Sequence, residues 1–380
     1  MIYGIKTKPI GKFGMINLFN KIYKDKAVLV TGHTGFKGSW LVYWLDKMGA
    51  KVIGYALEAP TKPNHIELLD LDIVSIVGDI RDLDKLNEVF EEYKPDIVFH
   101  LAAQPLVRLS YSNPIETYET NVMGTIKVFE AAKIAKVKAI VNITSDKAYD
   151  NREWIWGYRE NDPMGGYDPY SASKGCSELV TSSYRNSYFN IDEYGKTHNT
   201  LLASCRAGNV IGGGDWAEDR LMTDIMLSVS KNKKVIIRNP NATRPWQHVL
   251  EPLSGYLNIG QKLLEKKVEF SDGWNFGPAD EGSISVGEVL AHVQKYWDKI
   301  DYSLNKEKDS LHEANLLKLD CSKAHIELEW KDVWSNDTTF EKTVKWYKSY
   351  YEDELKVLTE NDLETYIDDA KKREIKWAVS

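Results

Sequence analysis

Residues Ala27 to Gly38, AVLVTGHTGFKG, decide the fold. The unbroken apolar run Ala27–Thr31 reads as a strand buried on both faces, the pattern of a parallel sheet. It ends in Gly32, Gly35 and Gly38, at spacings of three and three, just before a helix-like segment, Trp40–Met48, that stops at Gly49. A glycine pattern gains weight from that strand-then-helix setting. Gly32 permits a tight turn, Gly35 lets backbone approach a pyrophosphate, and Gly38 lets the helix pack closely on the strand. Thr34, Phe36 and Lys37 share the turn, and the N–H groups of the helix start suit phosphate oxygens.

The same rhythm continues outward. Lys51–Tyr55, Ile73–Val77, Ile97–Leu101, Ala139–Ile143 and Leu201–Arg206 read as further strands. Leu83–Glu92, Ile115–Ala135 and Tyr170–Arg185 read as helices between them. Such alternation predicts an α/β fold: a doubly wound, Rossmann-type parallel sheet with a smaller C-terminal substrate-binding lobe. The expected divisions are an N-terminal extension over 1–25, a dinucleotide-binding domain over 26–208, a substrate lobe over 209–350 with some segments returning to the sheet, and a charged tail over 351–380, read as a solvated tail or surface helix.

The chain has 380 residues and a formal net charge of −7, so a negatively charged ligand must be met by local cations and nothing favours nucleic acid. Its three cysteines, Cys176, Cys205 and Cys321, form no CxxC pair and imply neither a disulfide framework nor a zinc site. No apolar stretch matches a signal peptide or a membrane span, which gives the expectation of a cytoplasmic protein; Met15 is an alternative start.

The expected cofactor is NAD. Asp79 and Ile80, after the third strand, suit the adenine end, and Ala102, Ala103 and Gln104 offer small residues and backbone to a flat ring. A ribose-binding acid is expected at the end of the second strand, yet the sequence there reads Gly54-Tyr55-Ala56-Leu57-Glu58, with Glu58 slightly too late.

Tyr170 and Lys174 stand four apart on one helix and share a face. A neighbouring ammonium and a positive nicotinamide ring are expected to move the phenol toward neutral pH, so that it removes a hydroxyl proton. Ser145, just past the fifth strand, adds a hydrogen bond to the substrate hydroxyl. Asp146 beside it is an acid that a simple dehydrogenase does not need and an enzyme expelling water does.

The stretches TGHTGFKGSW, HLAAQPLVRLSY, NITSDKAYDNREWIWGYRENDPMGGYDPYSASKG, RAGNVIGGGDWAEDR and RPWQHVLEPLSGY resemble the CDP-glucose 4,6-dehydratase family of extended short-chain dehydrogenases from about Lys26 to about Tyr351. The resemblance implies oxidation at C4 of a nucleotide-linked hexose with Tyr170 as base, loss of water across C5 and C6 with Asp146 as acid, and return of the hydride to C6. It makes Lys147 either the base for the C5 proton or a charge that tunes Tyr170. It further implies substrate contacts from Arg108, Asn209, Arg220, Arg244 and His248, the last more often a structural histidine, and a homo-oligomer, dimer or tetramer, through the helices 115–135 and 170–187. Trp154, Trp156 and Tyr158 read as packing or as pocket walls. Ala148 stands where the family carries Cys, and the roughly twenty extra N-terminal residues are expected to be untidy. Other readings are a dehydratase for GDP-mannose or dTDP-glucose, a 4-epimerase, or a dinucleotide-binding regulator without chemistry. Asp146 argues against the epimerase, and the intact Ser145, Tyr170 and Lys174 against the regulator.

Overall fold

A computed structural model describes residues 15, 17–237, 240, 243–278, 283–304 and 316–379. Its centre is the predicted sheet. The strands β1 (Ala27–Thr31), β2 (Lys51–Ala56), β3 (Val74–Val77), β4 (Ile97–His100), β5 (Ala139–Ile143) and β6 (Leu201–Ala207) are joined by Gly273–Phe276 at the far edge. In space they run Gly273–Phe276, β6, β5, β4, β1, β2, β3, every neighbouring pair parallel. The order reverses between β1 and β4, and their carboxyl ends open the crevice where such sheets bind ligands. The residues of β1, β4, β5 and β6 are buried almost throughout, as expected for strands covered by helices on both faces.

The lobe beyond β6 carries a three-stranded sheet of Asn209–Ile211, Thr243–His248 and Ser283–Ser285, and a parallel pair, Val235–Ile237 with Tyr302–Leu304. Gly273–Phe276 leaves this stretch to complete the main sheet.

Of the two readings of the C-terminal segment, a solvated tail or a surface helix, the structure shows a helix with one face docked. Helix Thr359–Lys372 buries Leu363, Tyr366, Ile367 and Ala370, and the Tyr366 hydroxyl donates to Glu251 Oε2 at 2.8 Å. Trp377 is fully buried and stacks on Phe19, with ring centroids 5.1 Å apart, and on Tyr366. Trp377 thereby orders the other end too: Leu18, Phe19 and Tyr23 of the N-terminal extension are buried, and the Tyr23 hydroxyl donates to the Leu257 carbonyl. Residues 1–14 and 16 lie outside the described residues. Charge density pointed to solvent, yet Leu363, Tyr366, Ile367 and Ala370 form a buried face, where Asp362 pairs with Lys342 at 3.2 Å.

The helix expected over 115–135 is present in three parts: Pro114–Tyr118, a π-helical stretch Glu119–Gly124, and Thr125–Ile134. Single π turns inside helices often mark functional sites. Here the turn aims Asn121 inward: its amide oxygen accepts from the Gln104 N–H at 2.8 Å, and its Nδ2 donates to Ser173 Oγ at 2.8 Å.

Candidate active site

The glycine turn is closed by contact. Gly32 has φ +76°, a conformation other residues adopt only with strain. A Cβ on Gly32 would lie 2.7 Å from the Ala102 nitrogen, and one on Gly38 would lie 2.1 Å from the Gly32 carbonyl oxygen. Strand, turn and helix therefore sit as close as backbone allows. The helix Phe36–Lys47 starts at Gly35, which offers no side chain to cap it. The first helical N–H groups have no partner within the helix, and a phosphate is a suitable acceptor for them.

Two cations stand by this turn. Burial brings the Lys37 ammonium down to about 8; Asp146 acts to raise it and Arg220 to lower it. Burial brings Lys174 down to about 8 as well, and Lys37 pushes in the same direction. Buried like charges that repel each other favour an anion between or beside them. The closed glycine turn, the uncapped helix start and the paired ammonium groups all fit a dinucleotide diphosphate.

At the end of β2 no carboxylate faces the turn. The His33 ring lies across Gly54 instead, with Nε2 2.7 Å from Ser75 Oγ, and Tyr55 donates to the Asp79 carbonyl at 2.9 Å. The Asp79 carboxylate is held by Arg81 at 2.6 Å, and this ion pair holds its pKa below the usual carboxylate range. Ile80 is buried against Gly124. Ala102 donates its N–H to Thr31 Oγ1 at 3.2 Å. The Gln104 amide is turned inward, donating to the Leu106 carbonyl and to Thr117 Oγ1, which leaves backbone and Ala103 as the surface of that segment.

The catalytic candidates converge. Ser145 lies two residues past β5 and caps a short 3-10 turn, Asp146–Ala148, accepting from the Lys147 N–H at 3.2 Å. The Ser145 hydroxyl donates to Asp146 Oδ1 at 3.0 Å. Tyr170 and Lys174 project from helix Pro169–Ser187, which is capped by Asp168 and begins with proline at its first position. The Ser145 side chain acts on the Tyr170 phenol and favours its ionised form. Ser145, Asp146, Tyr170 and Lys174 are all buried.

The electrostatics differ from expectation in one respect. Burial pushes the Tyr170 phenol up to about 12, against pulls downward from Ser145 and Arg220 and a push upward from Asp146. Desolvation disfavours the phenolate more than the neighbouring cation and hydroxyl favour it. Burial also raises the Asp146 carboxyl, while Lys147, Ser145 and Lys37 pull it down. The charge of Lys147 thus acts on Asp146, and the cation acting on Tyr170 is Arg220.

The remaining candidates divide. Arg220 pairs with Asp215 at 2.6 Å and Arg108 with Asp219 at 3.7 Å, so both arginines meet the loop 215–220. That loop is braced from behind: the Asp215 N–H donates to the Tyr347 hydroxyl at 2.8 Å. Asn209 and Arg244 lie on neighbouring strands of the small sheet, and Arg244 donates to the Thr243 carbonyl at 3.0 Å. His248 is corrected. It is fully buried, edge-on to Trp334 at 4.8 Å and to Trp40 at 5.8 Å, and belongs to the core. Tyr158 is buried and stacks on Tyr149 and Trp154, while Trp156 is largely exposed.

Three residues of this region were missed in the sequence. Asn121 holds Gln104 and Ser173 together. Glu178, one turn beyond Lys174, accepts from Thr144 and Ser204 and forms a buried pair with Arg206 at 2.9 Å. The i, i+4 step from Lys174 to Glu178 was the available signal. Among the described residues, no group of three or more His, Cys, Asp or Glu could hold a metal ion. Among them too, no helix is long and apolar enough to cross a membrane.

Comparison with known proteins bears on family and fold. The family described as GDP-mannose 4,6 dehydratase matches residues 29–345. The CDP-glucose 4,6-dehydratase of Salmonella typhimurium is 55% identical over 91% of this chain and 97% of its own. A dTDP-glucose 4,6-dehydratase of Haemophilus influenzae is 25% identical over 84% of this chain and 97% of its own. Among solved structures, the epimerase Mth375 of Methanothermobacter thermautotrophicus superimposes with a TM-score of 0.77 at 24% identity, over 90% of this chain and 97% of its own. The UDP-glucose 4-epimerase of Thermus thermophilus, in complex with NAD, superimposes with a TM-score of 0.73 at 22% identity, over 85% and 99%. At those identities the two structures speak for the fold alone. The match over residues 29–345 and the 55% identity place the chain in a family: it belongs to the GDP-mannose 4,6-dehydratase family of extended short-chain dehydrogenases.

Proposed function

We propose that this protein removes water from a nucleotide-diphosphate hexose, with CDP-glucose as substrate and the 4-keto-6-deoxy sugar nucleotide as product. The observation that carries the reading is a buried carboxyl, Asp146, that accepts from the Ser145 hydroxyl at 3.0 Å. A dehydrogenase or 4-epimerase needs Tyr170, Ser145 and Lys174; expelling a hydroxyl also needs an acid. The choice of cytidine rests on the 55% identity to the Salmonella typhimurium enzyme.

The turn Gly32–Gly38, with Lys37 and Lys174 beside it, would hold NAD, which would supply reversible two-electron redox chemistry. Asp79, Ile80, Ala102, Ala103 and Gln104 line its adenine and nicotinamide ends. Tyr170 receives the C4 hydroxyl proton. Asp146 delivers a proton to the departing C6 oxygen, and its burial favours the protonated form that an acid requires. Lys147 is the remaining amine next to that acid and takes the C5 proton when it is in its neutral form. The other role open to it, tuning Tyr170, has less support because the cation acting on Tyr170 is Arg220. Arg108, Arg220, Arg244 and Asn209 serve the diphosphate and sugar, for which arginine offers paired donors.

A homo-oligomer, dimer or tetramer, in the cytoplasm belongs to the same proposal. Ile115, Met123 and Leu179, on the two helices named for the interface, are exposed apolar residues that a second copy would cover.

The test is a substrate panel. Purified protein with NAD is given CDP-glucose, dTDP-glucose and GDP-mannose, and the alkali absorbance of the 4-keto product is followed. Turnover of CDP-glucose alone is expected. Turnover of another member of the panel without CDP-glucose overturns the substrate, and no turnover of any overturns the reading.

A further inference from the structure

Expelling the C6 hydroxyl requires a proton at one particular atom, and the two oxygens of Asp146 are not equivalent. The Ser145 hydroxyl donates to Oδ1 at 3.0 Å. A protonated carboxyl has one O–H to give, and the oxygen that already accepts a hydrogen bond is the poorer place for it. The acid form therefore carries its proton on Oδ2. The seat of Oδ2 decides whether that proton reaches a departing oxygen, which must come within roughly 2.6–3.2 Å of it.

That seat is built by strand register. Ile143 of β5 stands beside Cys205 of β6, so three residues further along each chain Asp146 comes level with Gly208. On the other side Asn209 stands beside Trp246, which brings Gly208 level with Pro245. Gly208 thus lies between the carboxyl and a proline. A Cβ on Gly208 would stand 2.9 Å from Asp146 Oδ2, 3.5 Å from Asp146 Cγ and 3.4 Å from Pro245 Cγ. The φ of Gly208 lies outside the left-handed region, so alanine can adopt the same backbone. Space alone, and not conformation, sets the residue against a side chain. Ordinary contact begins near 3.4 Å, so Oδ2 would have to retreat by roughly 0.5 Å. Asp146 is buried, and turning its carboxyl draws Oδ1 off the Ser145 hydroxyl. Catalytic groups tolerate displacements of only about 0.5 Å.

We propose that Gly208 is a positioning residue for water loss: the space left by its missing side chain is the seat of Asp146 Oδ2, the oxygen that protonates the departing C6 hydroxyl. The inference rests on the dehydratase reading and assigns the atom and its seat. Gly208 acts only through Asp146, so its replacement slows the expulsion of water and spares the oxidation at C4 that precedes it.

Gly208→Ala tests this, after circular dichroism and calorimetric titration with NAD confirm folding and cofactor binding. A nucleotide-linked 6-deoxyhexose has no C6 hydroxyl to expel and undergoes oxidation alone, and single-turnover absorbance of reduced nicotinamide follows it. Gly208→Ala is expected to oxidise this analogue within about threefold of wild type. With the full substrate it is expected to form the 4-keto-6-deoxy product about tenfold more slowly, since a displacement of about 1 Å costs about a hundredfold. Reduced nicotinamide should then accumulate during turnover, which a general loosening of the site does not produce. Adding Gly208→Ala to Asp146→Asn should slow product formation no further, as two changes that act on one group are not additive. Product formation by Gly208→Ala at the wild-type rate overturns the proposal, as does an equal loss with the 6-deoxy analogue or a double variant whose losses multiply. Should Gly208→Ala not fold, Asp146→Glu decides: it keeps the carboxyl but adds a methylene to a filled seat, so slow water loss supports the proposal and wild-type water loss overturns it. Wild type that dehydrates no sugar nucleotide refutes the dehydratase reading and this inference with it; wild type that dehydrates while Gly208→Ala matches it refutes this inference alone.

Discussion

Replacing Gly38 by alanine tests the claim that backbone contact builds the nucleotide turn. The added Cβ would stand 2.1 Å from the Gly32 carbonyl oxygen and 2.8 Å from both the Gly32 carbonyl carbon and His33 Cα. Ordinary contact begins near 3.4 Å, so strand and helix must separate by roughly 1.3 Å, and every neighbour is backbone that cannot rotate away. Overpacking of this kind costs about 1–3 kcal/mol. A displacement on the order of 1 Å in a positioning element also costs about a hundredfold in function. Gly35→Ala is the control. Its Cβ would meet the Gly32 oxygen at 3.4 Å, and its φ of −78° suits alanine, so its stability should stay within about 1 kcal/mol of wild type. Thermal unfolding and calorimetric titration with NAD read both effects. Gly38→Ala is expected to melt several degrees lower and to bind NAD about a hundredfold more weakly. A Gly38→Ala protein with wild-type melting and wild-type affinity would refute the contact argument.

Two further outcomes concern the ends of the chain. Trp377→Ala should cost about 3–5 kcal/mol in denaturant unfolding, because it empties a site enclosed by Phe19, Trp44 and Tyr366; a loss under about 1 kcal/mol would mean that the terminal segments are not docked. Glu251 is buried, and burial pushes its carboxyl up to about 8, well above the roughly 4.3 of an unfolded chain. The folded form then holds a proton that the unfolded form lacks, so this contribution is full below about pH 4 and is lost as pH rises through about 8. Stability measured from pH 5 to 8 should therefore fall more steeply in wild type than in Glu251→Gln, and parallel curves would contradict the shift.

The strands and the glycine turn were legible because their signals are local. Unbroken apolar runs such as Ala27–Thr31 and Ala139–Ile143 can be satisfied only by burial on both faces, and the spacing of Gly32, Gly35 and Gly38 states how close backbone must come. Tyr170 and Lys174 were legible because a helical turn fixes their shared face. The pairing of Glu178 with Arg206 was not, since 28 residues and a change of element separate them. The docking of Trp377 on Phe19 spans nearly the whole chain and leaves no local trace.

Sequence by itself determined which residue types meet at the crevice: a hydroxyl, a carboxyl, a phenol and two amines, each set at the end of a strand or on one helix face. Only the tertiary structure decided their charge states and the fate of His248. The Tyr170 phenol is held up to about 12 because packing removes the water that would solvate its anion, and the sequence places Arg220 fifty residues away from it. Burial, which sets these energies, is a property of all the neighbours together and of no single stretch of chain.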